Sequence, residues 1–398
     1  MKVQLLARPD HSLFLYEYLR KKIAVQLITF NVAKKGSLLH RLRKTTRVVS
    51  DDVVILNDLT IYDQMIFGLA KVLNFSPFRA ESLYSEISFR RKAKRFKPDL
   101  IHYWPVYCHQ YVKKQRENKQ VSTLADVYSA HPQYVIKMLA PVYEEYNLNI
   151  KDSYFFQDAS RNTEFLAHEN FILVNSQYVK ESFQRENLSK DIFVAEYGFW
   201  GDADAMSNYQ AASGYRHMLN TPTLKLVYVG GVSLEKGVPY LLEALKKLGS
   251  ASIELDIIGR VKKGQEKIFN KYHTLSGVKF LGPKPNNEIR NMLKKYSVLV
   301  LPSLTDAYSI SVIEGLQQAL PVIVSDQTGN KDDVKKFNTG EVVIAADSDS
   351  LIKAIEKMTV AEYREHLSRN IQNFIKSDLG DPYPEKVLRI YHQLIPKK

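Results

Sequence analysis

Hydrophobic and polar positions repeat along the chain in one order, in which short apolar runs are followed by longer segments with helical spacing of apolar residues. This order is typical of βα units, whose parallel strands form a sheet covered by helices. In the first half we predict strands at Lys2–Leu6, Val25–Phe30, Val53–Leu56, Leu100–Tyr103, Val121–Leu124, Phe171–Val174 and Ile192–Val194, and mainly helix over 58–97. A second series is predicted at Lys225–Val229, Ile253–Ile258, Val278–Leu281, Val298–Leu301, Val322–Val324 and Glu341–Ile344. The pattern therefore predicts an α/β fold with two doubly wound domains.

The division between these domains is expected where no apolar period is sustained. Gly, Asp, Ser, Asn and Pro interrupt the chain between Gly198 and Thr223, so we predict a first domain over 1–200 and a second over 201–380. The stretch Tyr383–Leu394 has helical spacing again, and we expect the segment 381–398 to cross back to the first domain.

The composition excludes several classes of protein. Of 398 residues, 45% are hydrophobic and 25% are charged, which is the ordinary globular balance and argues against disorder or a fibrous repeat. Cys108 is the one cysteine, so no disulfide forms within the chain, and this fits a reducing compartment such as the cytoplasm. No apolar run approaches the roughly 18 residues that a membrane-spanning helix needs. We therefore expect a cytoplasmic protein without membrane spans.

The positive charge is concentrated at one end of the chain. Residues 1–120 hold 23 Lys and Arg against 10 Asp and Glu, and this excess accounts for the whole formal charge of +13. Such a surface attracts polyanions, anionic lipid head groups or phosphate-bearing acceptors, and the alternative is a solvated basic face. Nucleic acid is not expected as a partner, because no RRM, KH or OB pattern surrounds the tyrosine-rich stretch from His102 to Tyr111, which could otherwise stack on bases.

A strand, a polar loop and a helix follow one another around Asp306. The first amides of a helix lack intrahelical partners, so those of Ser309, Ile310 and Ser311 are candidates to hold a diphosphate. Glu314 lies further along the same helix and is a candidate to accept hydrogen bonds from a ribose. Asp306 precedes the helix and is suited to the hydroxyls of a transferred group. Alternatively, the two acids are a charge at the helix start and a solvated glutamate.

A second strand runs into a glycine-containing loop with Gly231 and Lys236, just before a long amphipathic helix. Backbone amides and one ammonium group in such a loop are suited to bind phosphate. The loop is neither a P-loop nor a Gly-x-Gly-x-x-Gly fingerprint, and a surface lysine at a helix start is the alternative reading.

Taken together, these segments resemble a known family. Lys236-Gly237, Ile257-Ile258-Gly259, Val278 to Gly282, Leu301-Pro302-Ser303, the acidic pair and Leu320 to Asp326 occur in the order found in the donor domain of GT-B glycosyltransferases, in particular the retaining enzymes of glycosyltransferase family four. The resemblance is strong over residues 225–330 and looser over 164–198. It implies a GT-B fold, in which two Rossmann-like domains face each other across a cleft.

The resemblance also implies roles for individual residues. Asp306 and Glu314 match the two ends of the acidic motif, with Asp where Glu is usual, and would face the donor sugar and the nucleotide ribose. Lys236 matches the lysine that neutralises the donor diphosphate. The arginine usually found five positions earlier is Gly231 here, and Arg260 is the candidate to replace its charge, unless it is a surface residue.

The first domain departs further from the family pattern. Alanine occupies position 125, where relatives place a histidine that meets the donor sugar. Asp126 and His131 are the candidates to supply a polar contact in its place, with a cap or loop role as the alternative for each.

The resemblance implies a metal-independent hexosyltransferase, which would use a nucleotide-diphosphate sugar as co-substrate, need no cofactor and retain the anomeric configuration. The expected acceptor is a lipid-linked or polymeric glycan or a protein, and docking on an anionic membrane surface is expected. The alternatives are a GT-B relative that epimerises sugar nucleotides and a catalytically weak binding partner of an active enzyme.

Overall fold

A computed structural model describes residues 1–6, 9–29, 33–34, 48–49, 53–55, 96–105, 109–117, 121–153, 155–156, 166, 169, 171–188, 191–199, 205–216 and 223–395. The predicted helical stretch 58–97 lies outside these ranges up to position 95, as does Cys108. Among the described residues, no helix is both long and apolar enough to cross a membrane.

Among the described residues, the first sheet has seven parallel strands in the order β5-β2-β1-β6-β7-β8-β9. They are β1 (Lys2–Leu6), β2 (Ala24–Thr29), β5 (Val54–Ile55), β6 (Leu100–Tyr103), β7 (Ser122–Val127), β8 (Phe171–Val174) and β9 (Asp191–Val194), while β3 (Ala33–Lys34) and β4 (Val48–Val49) form a separate pair. The helices described in this part are α1 (Pro9–Leu19), α2 (His109–Glu117), α3 (Pro132–Glu145) and α4 (Gln177–Arg185), with a 3₁₀ turn at Ile150–Asp152. We call this part the first domain.

The second sheet has six parallel strands in the order β12-β11-β10-β13-β14-β15. They are β10 (Leu224–Val229), β11 (Ile253–Ile258), β12 (Val278–Gly282), β13 (Val298–Leu301), β14 (Val322–Ser325) and β15 (Gly340–Val343). The helices are α5 (Ala205–Arg216), α6 (Val238–Leu248), α7 (Glu266–Asn270), α8 (Asn286–Leu293), α9 (Ile310–Gln317), α10 (Lys331–Phe337), α11 (Ser348–Thr359), α12 (Ala361–Gly380) and α13 (Tyr383–Leu394). The predicted α/β fold with two doubly wound sheets is confirmed.

The central strands are apolar on both faces because helices cover both sides of each sheet. All four residues of β13 and all four of β14 are buried. The order of the second sheet reverses between β10 and β13, which pair directly. In open parallel sheets, ligands bind beyond the carboxyl ends of the strands at such a switch point. The loops after β10 and β13 therefore mark the place to look for a site.

The last helix joins the two halves of the chain. Helix α13 follows α12 directly, yet its Tyr391 hydroxyl lies 2.6 Å from His102 Nδ1 in β6 of the first sheet. Its Glu385 pairs with Lys22 beyond α1, also at 2.6 Å. Helix α5 contacts α12 of the second domain, where the Tyr209 hydroxyl donates to the Ser368 carbonyl at 3.0 Å. The limits 1–200, 201–380 and 381–398 stay predictions.

Candidate functional site

The loop after β10 carries Lys236 at the switch point. Its glycine at position 237 has a φ of +68°, and a Cβ there would lie 1.8 Å from the Pro302 carbonyl oxygen, so only glycine fits without displacement. This close approach brings the loop against the segment that follows β13. The amide of Leu304 in that segment donates to the Glu235 carbonyl at 2.8 Å. The two loops are thus held together by their main chains.

Asp306 is fixed from both sides by the turn after β14. Its amide donates to the Gln327 carbonyl at 3.0 Å, and its own carbonyl accepts from the Gly329 amide at 2.9 Å. The side chain points back to the first loop, where Asp306 Oδ2 lies 2.6 Å from Lys236 Nζ. The structure therefore brings together two residues that lie 70 positions apart and that the sequence assigned to one site.

The ion pair of Lys236 and Asp306 lies at the rim of the fold. The lysine side chain is 32% exposed and the aspartate side chain 13% exposed. Both charges are therefore partly desolvated yet reachable from solvent, as binding of a charged ligand requires. A phosphate that binds Lys236 therefore competes with Asp306 for the same ammonium group.

The start of α9 differs from the prediction at Ser309. This residue is the N-cap, and its amide donates to the Asn330 side-chain oxygen at 2.6 Å. Its hydroxyl lies 3.0 Å from that of Ser311. The assignment of the Ser309 amide to a diphosphate is thus wrong for this conformation, because a side chain from the next loop already satisfies it. The amides of Ile310 and Ser311, in the first turn, keep the candidate role, and Ile310 is 45% exposed.

Glu314 projects from the same helix toward α8. Its carboxylate lies 3.9 Å from Arg290 Nε, and its side chain is only 13% exposed. Burial raises the pKa of Glu314, and the neighbouring guanidinium works against that rise. Arg290 was missed at the level of sequence, because one arginine on an amphipathic helix carries no motif. A partly buried carboxylate with a distant cation retains capacity to accept hydrogen bonds from a diol.

Gly231, the position at which the resemblance implies an arginine, faces open space. A Cβ added there meets nothing within 4 Å, and the carbonyl of Gly231 accepts a hydrogen bond from the Tyr228 hydroxyl at 2.6 Å. Arg260 is exposed, and its carbonyl accepts from the Val232 amide at 2.9 Å. The two candidate positions thus lie on adjacent main-chain segments, and the replacement role of Arg260 stays a prediction.

Asp126 does not lie in a loop open to the cleft. Strand β7 extends to Val127, three residues beyond its predicted end, because the pairing with β8 continues to that point. Asp126 is 1% exposed, and its Oδ2 lies 3.2 Å from His102 Nε2 and accepts from the Tyr383 hydroxyl at 3.4 Å. The predicted contact of Asp126 with a donor sugar is therefore corrected to a buried link between β6, β7 and α13.

His131 is also enclosed. It is 2% exposed at the start of α3, and its ring meets Phe183 edge to face at 5.2 Å. Its main-chain amide donates to the Ser182 hydroxyl at 2.8 Å, whereas neither ring nitrogen has a hydrogen-bond partner among the described residues. Burial lowers the pKa of His131, so the neutral imidazole is favoured. The predicted contact of His131 with a donor sugar stays a prediction.

Side chains of the first domain reach the Asp306 loop. The Ser176 hydroxyl donates to the Ala307 carbonyl at 2.6 Å, and the Tyr178 hydroxyl lies 3.0 Å from Thr305 Oγ1. These contacts flank Asp306 on both sides along the chain. The candidate site therefore lies where the two domains meet. Among the described residues, no group of three or more His, Cys, Asp and Glu side chains is arranged to hold a metal ion.

Residues 216–374, which carry this geometry, match the sequence profile of the family described as glycosyl transferases group 1. This segment belongs to that family. An uncharacterised glycosyltransferase of Methanocaldococcus jannaschii is 26% identical over 256 residues, which are 62% of this chain and 64% of the relative. The Escherichia coli UDP-Gal:alpha-D-GlcNAc-diphosphoundecaprenol alpha-1,3-galactosyltransferase is 36% identical over 89 residues, 22% of this chain and 23% of the relative. The chain thus spans less than two thirds of either relative's length.

The similarity to solved structures covers more of the chain than residues 216–374. The structure of Anabaena HepE in complex with UDP and glucose superposes with a TM-score of 0.61 over 99% of both chains, at 15% identity. The two-domain arrangement is of the GT-B type, as predicted. Lys236, Asp306 and Glu314 all lie within the group 1 segment, and Ser176 and Tyr178 of the first domain contact the loop that carries Asp306.

Proposed function

We propose that this chain is a retaining, hexosyltransferase-type glycosyltransferase that moves a sugar from a nucleotide-diphosphate sugar to a hydroxyl acceptor. The observation that carries the proposal is the pairing of Lys236 with Asp306 at 2.6 Å, at the switch point of a group 1 domain and beside the first domain. A UDP and glucose complex of a protein with the same fold supports the choice of donor class.

The reaction exchanges one bond at the anomeric carbon for another. The bond from that carbon to the diphosphate oxygen breaks, the acceptor oxygen bonds to the same carbon from the same face, and the acceptor proton passes to the departing phosphate oxygen. Lys236 and the amides of Ile310 and Ser311 stabilise the charge that grows on the diphosphate, which is the main source of rate in such transfers. Glu314 accepts hydrogen bonds from the ribose. Asp306, released from Lys236, faces the sugar.

The acceptor is a lipid-linked or polymeric glycan, with the enzyme in the cytoplasm and docked on an anionic membrane face. Two observations support this finer proposal: the E. coli relative is named for a diphosphoundecaprenol-linked substrate, and residues 1–120 carry a net charge of +13. At about 1 kcal/mol per basic residue near an anionic surface, a few such residues suffice for reversible docking. Equal sedimentation with anionic and neutral vesicles would contradict docking.

The decisive experiment measures UDP binding and sugar transfer in Lys236→Ala and Glu314→Ala. Each variant loses one charge-assisted contact, so we expect a loss of about 1.5 to 3 kcal/mol in donor binding or turnover, with the fold intact. Lys246→Ala is the matched control, because this lysine lies on α6, is 60% exposed and pairs only loosely with Glu243 at 3.9 Å. Parent-like turnover in both site variants would refute the assignment. Isomerised nucleotide sugar would indicate an epimerase, and binding without turnover a partner protein.

A further inference from the structure

Glu235, the residue before Lys236, is the meeting point of three side chains. Lys262 and the Tyr143 hydroxyl both donate to its Oε1, and Gln265 Nε2 donates to its Oε2 at 3.3 Å. Glu235 is only 6% exposed. Lys262 and Gln265 belong to the same domain as Glu235, whereas Tyr143 is part of α3 in the first domain. One of the three bonds therefore crosses from one domain to the other.

The protonation states suit this arrangement. Burial pushes the pKa of Glu235 upward, but the hydrogen bonds from Lys262 and Tyr143 outweigh it, so that the pKa lies below its usual value. Burial, and then the bond to Glu235, raise the pKa of Tyr143. The pair is thus a carboxylate that accepts and a phenol that donates.

The main chain of Glu235 connects this cluster to the candidate site. Its carbonyl accepts a hydrogen bond of 2.8 Å from the amide of Leu304, which lies two residues before Asp306. Lys236 is the next residue along the main chain. Gln265 Oε1 also accepts from the Leu234 amide at 2.7 Å, so the loop remains anchored within its own domain without Tyr143. Loss of the hydrogen bond from Tyr143 to Glu235 therefore weakens the coupling between the two domains, while the loop that carries Glu235 stays anchored to its own domain.

We propose that Tyr143 is a positioning residue for sugar transfer, which ties the first domain through Glu235 to the two loops that carry Lys236 and Asp306. This inference rests on the proposed function. The group 1 domain binds the nucleotide with its own residues, whereas transfer requires the acceptor side to be held against the donor. Loss of the Tyr143 hydroxyl should therefore slow the transfer step and leave nucleotide binding in place.

Tyr143→Phe removes the hydroxyl and keeps the buried ring. Tyr240→Phe is the matched control, because the Tyr240 hydroxyl also crosses between the domains, to Glu145 Oε2 at 3.2 Å, but is attached to α6 and not to the site loops. We expect Tyr143→Phe to lower kcat about tenfold, equivalent to about 1.4 kcal/mol, and to change the Kd of UDP by less than about twofold. Tyr240→Phe should match the parent in both quantities.

Amide hydrogen exchange supplies a readout that does not depend on turnover. In a peptide over residues 299–309, in which the Leu304 amide retains its label, exchange should be faster in Tyr143→Phe than in the parent or in Tyr240→Phe, because the Glu235 carbonyl that accepts from this amide is held less firmly. A parent that transfers no sugar would refute the proposed function while this exchange still tests the coupling. Parent-like kcat and exchange in Tyr143→Phe would overturn the inference. Equal losses in both tyrosine variants would also overturn it, because they would indicate general interface weakening and not coupling through Glu235.

Discussion

Replacement of Asp306 by asparagine should tighten the binding of UDP while slowing sugar transfer. Lys236 Nζ lies 2.6 Å from Asp306 Oδ2, so the carboxylate competes with a diphosphate for the lysine. Asparagine keeps the size of the side chain and removes its charge. The lysine then becomes available to phosphate without a competitor, but the carboxylate proposed to face the sugar is lost.

The expected magnitude follows from the exposure of the pair. Exposed ion pairs contribute about 0.2 to 1 kcal/mol, and hydrogen bonds to charged groups about 1.5 to 3 kcal/mol. With side chains 32% and 13% exposed, this pair lies between the two classes, and we take about 1.4 kcal/mol. Lys236 is then unpaired in about a tenth of the molecules, and the apparent affinity for UDP is reduced about tenfold by this competition. Asp306→Asn should recover most of that factor.

Isothermal titration with UDP at low and high salt measures the effect directly. Because partly exposed charges are screened, the gain in affinity should shrink as ionic strength rises. Asp349→Asn is the control, since Asp349 pairs with Lys247 at 2.8 Å on the surface and away from the two loops. A Kd for UDP in Asp306→Asn that equals or exceeds that of the parent would refute the idea that this acid competes with the donor phosphate.

Three further outcomes are expected. Gly231→Arg should tighten UDP binding about tenfold in titrations, because its Cβ meets open space and its charge restores a phosphate contact, whereas Gly231→Gln should not. Asp126→Asn should lower the free energy of unfolding in urea by about 1 to 3 kcal/mol with UDP affinity unchanged; weaker UDP binding at full stability would instead return this residue to the donor site. Burial raises the pKa of Asp333 from 3.8 to about 6, so the folded protein holds this proton more tightly than the unfolded chain does. The resulting contribution to the free energy of unfolding is at most about 3 kcal/mol. It is fully present below about pH 4 and is lost as pH rises through about 6. Asp333→Asn should flatten this part of the stability profile measured by urea unfolding, and an unchanged slope would contradict the assignment.

The fold was predictable because its strands are short, buried and bounded by turn residues. Lys2–Leu6, Leu100–Tyr103 and Ile253–Ile258 have the predicted bounds. The error at β7 has a physical reason, since the missed residues Ala125 to Val127 include the acidic Asp126, which a hydrophobic pattern assigns to a loop. Pairing with β8 and the partner His102 make those positions part of the strand. A pattern of hydrophobic and polar residues along the chain does not show which residues of other strands will become such partners.

The site was predictable only as far as single segments specify it. The loop after β10 and the helix after β13 each carry a local pattern, so the sequence predicts Lys236, Asp306 and Glu314 as candidates, and the structure places Lys236 beside Asp306. The groups that modify them come from elsewhere in the chain: Asn330 on the Ser309 amide, and Arg290 beside Glu314. These contacts depend on which loops meet at the edge of the sheet. The spacing of residues along the chain does not show which loops meet.

The contacts that sequence missed have a common consequence for binding. Asp306 pairs with Lys236, and Arg290 lies near Glu314, so side chains of the protein satisfy part of the polar capacity of the candidate site. Unpaired buried polar groups are costly, and such pairing lowers that cost. A donor must then exchange partners with the protein, and each new contact gains only its difference from the contact it replaces. Affinity for the nucleotide should be modest as a result. Discrimination should be sharper, because a ligand that breaks these contacts without replacing them leaves the same groups unpaired.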